Sequence, residues 1–351
     1  MRTQLSWRGC ESAELQLPLE SSVSRRAIIF GAASAIVGIA AGLGLERIAE
    51  AQVSPNPLQH VQTASLDIAY EESGPADGPP AILLHGFPYD ARAFDGVVPP
   101  LVAAGWRVLV PYLRGFGETR FLSVDTLRSG QQAAVGKDVV DFMDALGIPT
   151  AALAGFDWGG RAATVVAALW PERVRCLVSV GGYTIYNVAA SAMPSAPEAE
   201  YRSWYMYYFQ TERGKAGLSA NRAAFCRLLW QLWSPTWHFS DDVYARTAAS
   251  FENPDFVDVA IHRYRHSAGA APGDPAYEVF EARLAERPII TAPTISLQGT
   301  DDGVTGPVQA TDSSAQYFKG PYERRVIQGA GHDLPQENPA AVVDALHDLI
   351  G

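Results

Sequence analysis

The sequence predicts an α/β fold: a mostly parallel sheet with helices on both faces and a helical cap inserted before the last two strands. Three observations carry this. Short buried-strand patterns alternate with helical ones as far as residue 182, the rhythm of a parallel sheet covered on both sides. That rhythm stops there and resumes at 294–297, leaving a long aromatic, helically patterned stretch between two strands. Finally, Gly155-Phe156-Asp157-Trp158-Gly159-Gly160 sets a Gly-flanked turn between a small apolar run, 151–154, and an Ala/Val-rich helical run, 161–170. Strand, sharp turn and helix in that order expose a nucleophile.

Residues 66–70 alternate and are followed by Gly74-Pro75 and Gly78-Pro79, which reads as an exposed N-terminal strand. Residues 81–84 form a short buried strand running into His85-Gly86-Phe87-Pro88. The next strand, 107–110, leads to Leu113-Arg114-Gly115-Phe116-Gly117, and 137–146 carries a helical apolar face through Val140, Phe142, Met143 and Leu146. Strand 176–180 follows the elbow and its helix. The insertion, 183–288, then divides the core into 52–182 and 289–351, and holds Trp204, Tyr205, Tyr207, Tyr208, Phe209, Trp230, Trp233 and Trp237. An insertion at this point stands over the C-terminal strand ends, where ligands bind in open α/β sheets. A strand at 324–327, the loop Gly329-Ala330-Gly331-His332 and a helix at 339–350 close the chain.

Asp157 stands where such elbows usually have serine. A serine needs a base before it can attack, whereas a carboxylate at neutral pH is already a nucleophile. At acyl carbon it would only form a less stable anhydride. The chemistry therefore points to an electrophilic sp3 carbon, as in epoxides and alkyl halides. The plainer reading is an Asp that caps the following helix. Later in the chain, 298–303 offers Asp301 or Asp302 after the next-to-last strand, and Gly331-His332-Asp333 follows the last one. Nucleophile, acid and histidine thus fall in the order that a catalytic triad of this type requires.

With these motifs the sequence resembles the α/β-hydrolase superfamily, and specifically its epoxide-hydrolase branch, over 58–351. The resemblance selects Asp302, three residues after the strand-ending glycine, as the acid, and leaves Asp333 as a loop or capping carboxylate. It implies attack of Asp157 on the epoxide carbon, giving an alkyl-enzyme ester. Water activated by His332, itself oriented by Asp302, would then hydrolyse that ester. The backbone N–H groups of Phe87 and Trp158 would hold the oxyanion, at about 3 kcal/mol each. His85 and Pro88 would shape that turn and, with Trp204 and Phe209, border the substrate pocket. Two cap tyrosines would protonate the departing alkoxide: Tyr205 in Tyr205-Met206-Tyr207-Tyr208-Phe209, with Tyr207 and Tyr208 as competitors, and Tyr264 in His262-Arg263-Tyr264-Arg265-His266. The implied partners are a small apolar epoxide and water, with no cofactor, metal or nucleic acid.

Haloalkane dehalogenases share the Asp and the following Trp. In that reading Trp158 would bind departing halide beside an Asn or a cap Trp, although Phe87 stands where many of them have the Asn. Fluoroacetate dehalogenases are similar at His85-Gly86-Phe87-Pro88 but usually have Arg at the position of Trp158. A non-catalytic binding protein of this fold has no need to keep nucleophile, acid and base together.

Composition is ordinary for a globular chain of 351 residues, 48% hydrophobic and 19% charged. A net charge of −11 disfavours nucleic acid and anionic membrane as partners. Of three cysteines, Cys10 precedes the fold and Cys176 sits in a buried-strand pattern, so a core thiol is expected rather than a disulfide. Residues 1–51 are similar to a twin-arginine export signal: Arg25-Arg26, an uncharged run to Leu45, then Ala49-Glu50-Ala51 before Gln52. Export to the periplasm or medium is the expectation, with an uncleaved membrane anchor as the alternative.

Overall fold

The computed structural model describes residues 58–350; the expected export signal lies outside the described residues. Nine strands form one sheet: β1 (Gln59–Gln62), β2 (Leu66–Ser73), β3 (Pro80–Leu84), β4 (Arg107–Pro111), β5 (Arg120–Phe121), β6 (Ala151–Gly155), β7 (Val174–Val180), β8 (Thr294–Gly299) and β9 (Tyr322–Ile327). Their spatial order is β1-β2-β4-β3-β6-β7-β8-β9, with β5 paired to β2. Strands β1, β2, β4 and β5 meet antiparallel, and every pairing from β4 through β3 to β9 is parallel.

Around the sheet lie α1 (Val98–Ala103), α2 (Gln132–Ala145) and α3 (Asp157–Leu169). The stretch between β7 and β8 contains α4 (Pro197–Arg202), α5 (Trp204–Phe209), α6 (Glu212–Ala220), α7 (Arg222–Trp233), α8 (Asp241–Ala248), α9 (Phe256–Ser267) and α10 (Glu278–Ala285). After β9 come α11 (Leu334–Glu337) and α12 (Pro339–Ile350). Not all of the long stretch sits apart from the core. Helix α10 packs on α2 and α3, and Glu281 accepts hydrogen bonds from the Ala133 N–H and the Gln132 side chain.

One expectation is corrected. Residues 66–70 are not an exposed strand, because Leu66, Ile68, Ala69 and Tyr70 are all buried. β2 is flanked by β1 on one side and β4 on the other. The covering strand β1 reads Gln-His-Val-Gln, too polar to announce itself by periodicity. Cys176 and Cys226 are free and buried, as a core thiol should be.

The Arg114 turn after β4 is anchored from below. The guanidinium is buried, makes a two-pronged 2.6 Å contact with Asp138 on α2, and donates to the Ser129 carbonyl at 2.7 Å. Removing one partner of a buried pair strands a charge in a poorly solvated place. Asp138→Ala should therefore lower stability by about 3–5 kcal/mol in chemical denaturation. An unchanged unfolding midpoint would contradict this anchoring role.

Candidate active site

Asp157 lies two residues past the end of β6 and begins α3 with a φ of 50°, in the left-handed region that disfavours residues other than glycine. Three glycines make this bend possible by leaving no Cβ in the way. A Cβ on Gly159 would fall 2.0 Å from the Leu84 carbonyl oxygen, one on Gly155 2.6 Å from the Gly159 backbone, and one on Gly86 2.4 Å from the Asp157 Cβ. The close approach brings Asp157 under the turn after β3, where its Oδ1 accepts the Phe87 N–H at 2.8 Å. The Trp158 N–H belongs to the first turn of α3, whose amides have no acceptor within the helix.

His332 lies in the loop after β9. Its Nδ1 is 3.1 and 3.2 Å from the two carboxylate oxygens of Asp302, and its Nε2 is 3.6 Å from Asp157 Oδ2. Asp302 Oδ1 also accepts the N–H groups of Val304 and Thr305, at 2.7 and 3.1 Å, which fixes the carboxylate. Asp301 is turned elsewhere and accepts the Thr300 hydroxyl. Burial by itself would lower the His332 pKa. The Asp302 charge and the contacts with Asp157 and Asp302 outweigh it and raise the value to about 10. Burial would likewise raise Asp302, but His332 and its two backbone donors bring it below the ordinary value. Asp333 occupies the N-cap position of α11 without making a cap bond, so it is a loop carboxylate and not a capping one. Both its oxygens are buried without a hydrogen-bond partner among the described residues, and burial, then Glu337, pushes its carboxyl well up.

The end of α7 ties these loops together. The Trp233 carbonyl accepts from Gly303 N–H at 2.9 Å and from His332 N–H at 3.2 Å. The Ser234 hydroxyl accepts from the His332 and Asp333 amides and donates to Glu337. Trp233 also sets its ring 5.3 Å from the imidazole and 5.0 Å from that of Tyr205, and its buried indole N–H has no partner among the described residues. Sequence reasoning missed Trp233 and Ser234 as site residues, since neither sits in a motif of its own.

Tyr205 on α5 and Tyr264 on α9 are both buried, with rings perpendicular and 5.3 Å apart. Burial raises both hydroxyls well above the ordinary tyrosine value, and the Asp157 charge adds to the rise in each. The Tyr264 ring lies 5.8 Å from that of Trp158. The competitors point away: Tyr207 is 56% exposed and bonds Glu200, while Tyr208 stacks on Phe225. Phe209 packs against Phe87 and Tyr264 beside the site, but Trp204 is half-buried against Tyr208 and Phe225 on the outer side of α5. His85 is wholly buried behind the turn. Its Nε2 accepts the Leu113 N–H and its Nδ1 donates to the Gly86 carbonyl, so both nitrogens serve the backbone and burial lowers its pKa to about 4. Pro88 offers its carbonyl to the Trp230 indole.

A cavity of about 660 Å³ opens beside these tyrosines, with Arg161, Tyr186, Met206, Gln210 and Arg287 in its wall. Asp157, His332 and the two tyrosines are not part of that wall.

Residues 79–339 match the family with the alpha/beta hydrolase fold. Epoxide hydrolase A of Mycobacterium tuberculosis is 28% identical over 329 residues, covering 83% of this chain and 96% of the relative. A haloalkane dehalogenase of Mycobacterium marinum is 36% identical over 125 residues, 34% of this chain and 40% of the relative. A candidate epoxide hydrolase of Klebsiella pneumoniae, known from its crystal structure, is 47% identical with a TM-score of 0.81, over 84% of this chain and 97% of that one. With a match over most of its length, the chain belongs to the α/β-hydrolase fold family and is similar to epoxide hydrolases within it.

Proposed function

We propose that this protein opens epoxides to vicinal diols through an ester on Asp157. The observation that carries the reading is a pair of buried tyrosines packed on each other, Tyr264 also against Trp158 and Phe87, beside a carboxylate that already accepts a backbone N–H and faces a histidine. In the first half, an Asp157 oxygen bonds to an epoxide carbon and the C–O bond of the ring breaks. The emerging alkoxide takes a proton from Tyr205 or Tyr264. Esterification removes the Asp157 charge, one of the contributions that hold His332 protonated. His332 can then release its proton, which balances the one given by the tyrosine, and becomes a base. In the second half it deprotonates water, which adds to the ester carbonyl. The N–H groups of Phe87 and Trp158 hold the oxyanion. Collapse expels the diol and returns Asp157 as carboxylate beside protonated His332.

A dehalogenase reading is favoured by one observation, the unpartnered indole N–H of Trp233 beside His332. Halide is a weak base and needs N–H donors instead of an acid. The two readings separate cleanly. Tyr205→Phe and Tyr264→Phe should each slow epoxide opening about a hundredfold or more, and the double variant should nearly stop it. Full activity of the double variant on an epoxide, with halide release from a bromoalkane, would favour the dehalogenase.

His332→Gln should let the ester form but not break, because a carboxylate nucleophile needs no base. Intact-protein mass spectrometry with substrate should find a stable adduct, and Asp157→Asn should abolish it. Bound substrate without adduct in His332→Gln would place the histidine ahead of ester formation. The same variant tests the charge state. A histidine whose folded pKa, about 10, exceeds its unfolded value of 6.5 stabilises the fold as the cation. That contribution is complete below pH 6.5 and is lost as pH rises through about 10. The stability advantage of wild type over His332→Gln should therefore shrink from near-neutral pH to about 10. An advantage that grew over this range would contradict it.

For location, we propose twin-arginine export with cleavage after Ala51. Mature protein beginning at Gln52 outside the cytoplasm would support it, and full-length chain in washed membranes would establish the anchor.

A further inference from the structure

Eleven buried polar side-chain atoms have no partner among the described residues, and five of them fall at one place. They are His332 Nε2, both oxygens of the adjacent Asp333, the Trp233 indole nitrogen and the Tyr89 hydroxyl. Among the described residues three aromatic rings pack on the imidazole: Trp233 at 5.3 Å, Tyr89 at 6.3 Å and Phe156 at 6.4 Å. The two that carry a polar tip both leave it unpaired. Buried hydrogen-bonding groups are nearly always satisfied, by protein or by water, so a cluster of them calls for a shared partner.

Both tips are held in place by packing. Trp233 is 1% exposed, and its carbonyl accepts the Gly303 and His332 amides. Tyr89 is wholly buried, stacks on Trp230 and leans on Phe156, each at 5.0 Å, and donates its amide to the Gly86 carbonyl at 3.1 Å. Their chemistry is complementary. An indole N–H only donates, a phenol both donates and accepts, and a neutral imidazole with its proton on Nδ1 accepts at Nε2. Burial, then the charges of Asp333 and Asp157, raises the Tyr89 hydroxyl well above the ordinary value, so it keeps its proton. One water suits all three groups. It accepts the Trp233 N–H, donates to His332 Nε2 and to the Tyr89 oxygen, and keeps one lone pair free. Three partners is the usual number for a buried water, about three. His332 Nε2 is 3.6 Å from Asp157 Oδ2, so a molecule held at that nitrogen lies beside the carboxyl group.

We infer that Trp233 and Tyr89 hold the water that hydrolyses the Asp157 ester. The inference rests on the ester reading of Asp157 and gives the second half-reaction two further catalytic residues. The water oxygen bonds to the Asp157 carboxyl carbon through its free lone pair. One water proton passes to His332 Nε2, and the other stays on the attacking oxygen, directed at Tyr89. The carbonyl electron pair moves to the oxygen facing the Phe87 and Trp158 amides. A halide site would use the same indole N–H in the first half-reaction instead, which makes the two roles separable.

The test follows ester formation and ester hydrolysis separately in the full mature enzyme, with styrene oxide, acid quenching and intact-protein mass spectrometry. Trp233→Phe and Tyr89→Phe should each slow hydrolysis about tenfold, the scale of one hydrogen bond, and the double variant should slow it further. Formation should slow less, so more of the enzyme stands as ester during turnover. The pH midpoint of hydrolysis should stay at the wild-type value, because the water and not the imidazole has lost a partner. Hydrolysis at the wild-type rate in both variants would overturn the inference. So would slower hydrolysis with a shifted midpoint, which places the rings behind the imidazole, or slower formation alone, which assigns Trp233 to the leaving group. Tyr89→Phe removes a single oxygen and keeps the packing, so it decides the matter if Trp233→Phe does not fold. His332→Gln separates this result from the reaction itself. No ester in that variant removes the ester reading and the water site with it, whereas ester there and normal hydrolysis in the two ring variants removes the water site alone.

Discussion

Everything at the site depends on one strained residue. Asp157 holds a left-handed backbone at the point where the central strand turns into a helix, a conformation costing about 1–2 kcal/mol for a side-chain-bearing residue. Such strain survives only where the surroundings over-determine it. Here they do so through close backbone approach: the helix start lies so near the end of β3 that only glycine fits at 155 and 159, and only glycine at 86 clears the carboxylate. The bend places the carboxylate against the Phe87 amide and within the reach of a histidine from the far end of the chain. A Cβ at any of these glycines would press on the carboxylate or on the backbone that positions it.

On the proposed mechanism, charge then sets the order of events. His332 sits between two carboxylates in a buried place, and their combined field outweighs the cost of burying its charge. Asp302 is fixed by backbone donors, and its carboxyl lies below the ordinary value. Asp157 is the partner whose charge covalent chemistry can remove. On the proposed mechanism the histidine is thus made basic by the step that creates its substrate. The polar contacts of α7 matter for the same reason, since the Trp233 carbonyl and Ser234 hydroxyl hold the acid loop and the histidine loop at one fixed separation.

The order of Asp157, Asp302 and His332 was legible because each sits in a loop after a strand, and strands announce themselves by apolar runs flanked by glycine. The choice of Asp302 over Asp301 came from resemblance, and the geometry brings Asp302 to the imidazole while Asp301 turns to its neighbour Thr300. Helical spacing could have decided among the tyrosines: residues 205 and 209 share a face of α5 that turns to Tyr264, while 204 and 208 share the face that packs on Phe225. It could not have found Ser234, which acts about a hundred residues away through a hydroxyl. The burial of β2 was hidden because the strand covering it is nearly all polar.

The central claim is that Asp157 itself becomes the ester and that water attacks its carbonyl carbon. A single turnover in water enriched in oxygen-18, with enzyme in excess over a simple epoxide, tests it directly. The mechanism predicts that the label enters the carboxylate of Asp157, found by mass spectrometry of the peptide that carries it, and that the first diol released is unlabelled. Label in the first diol, with none in the Asp157 peptide, would mean that water attacks the epoxide directly and would contradict the account.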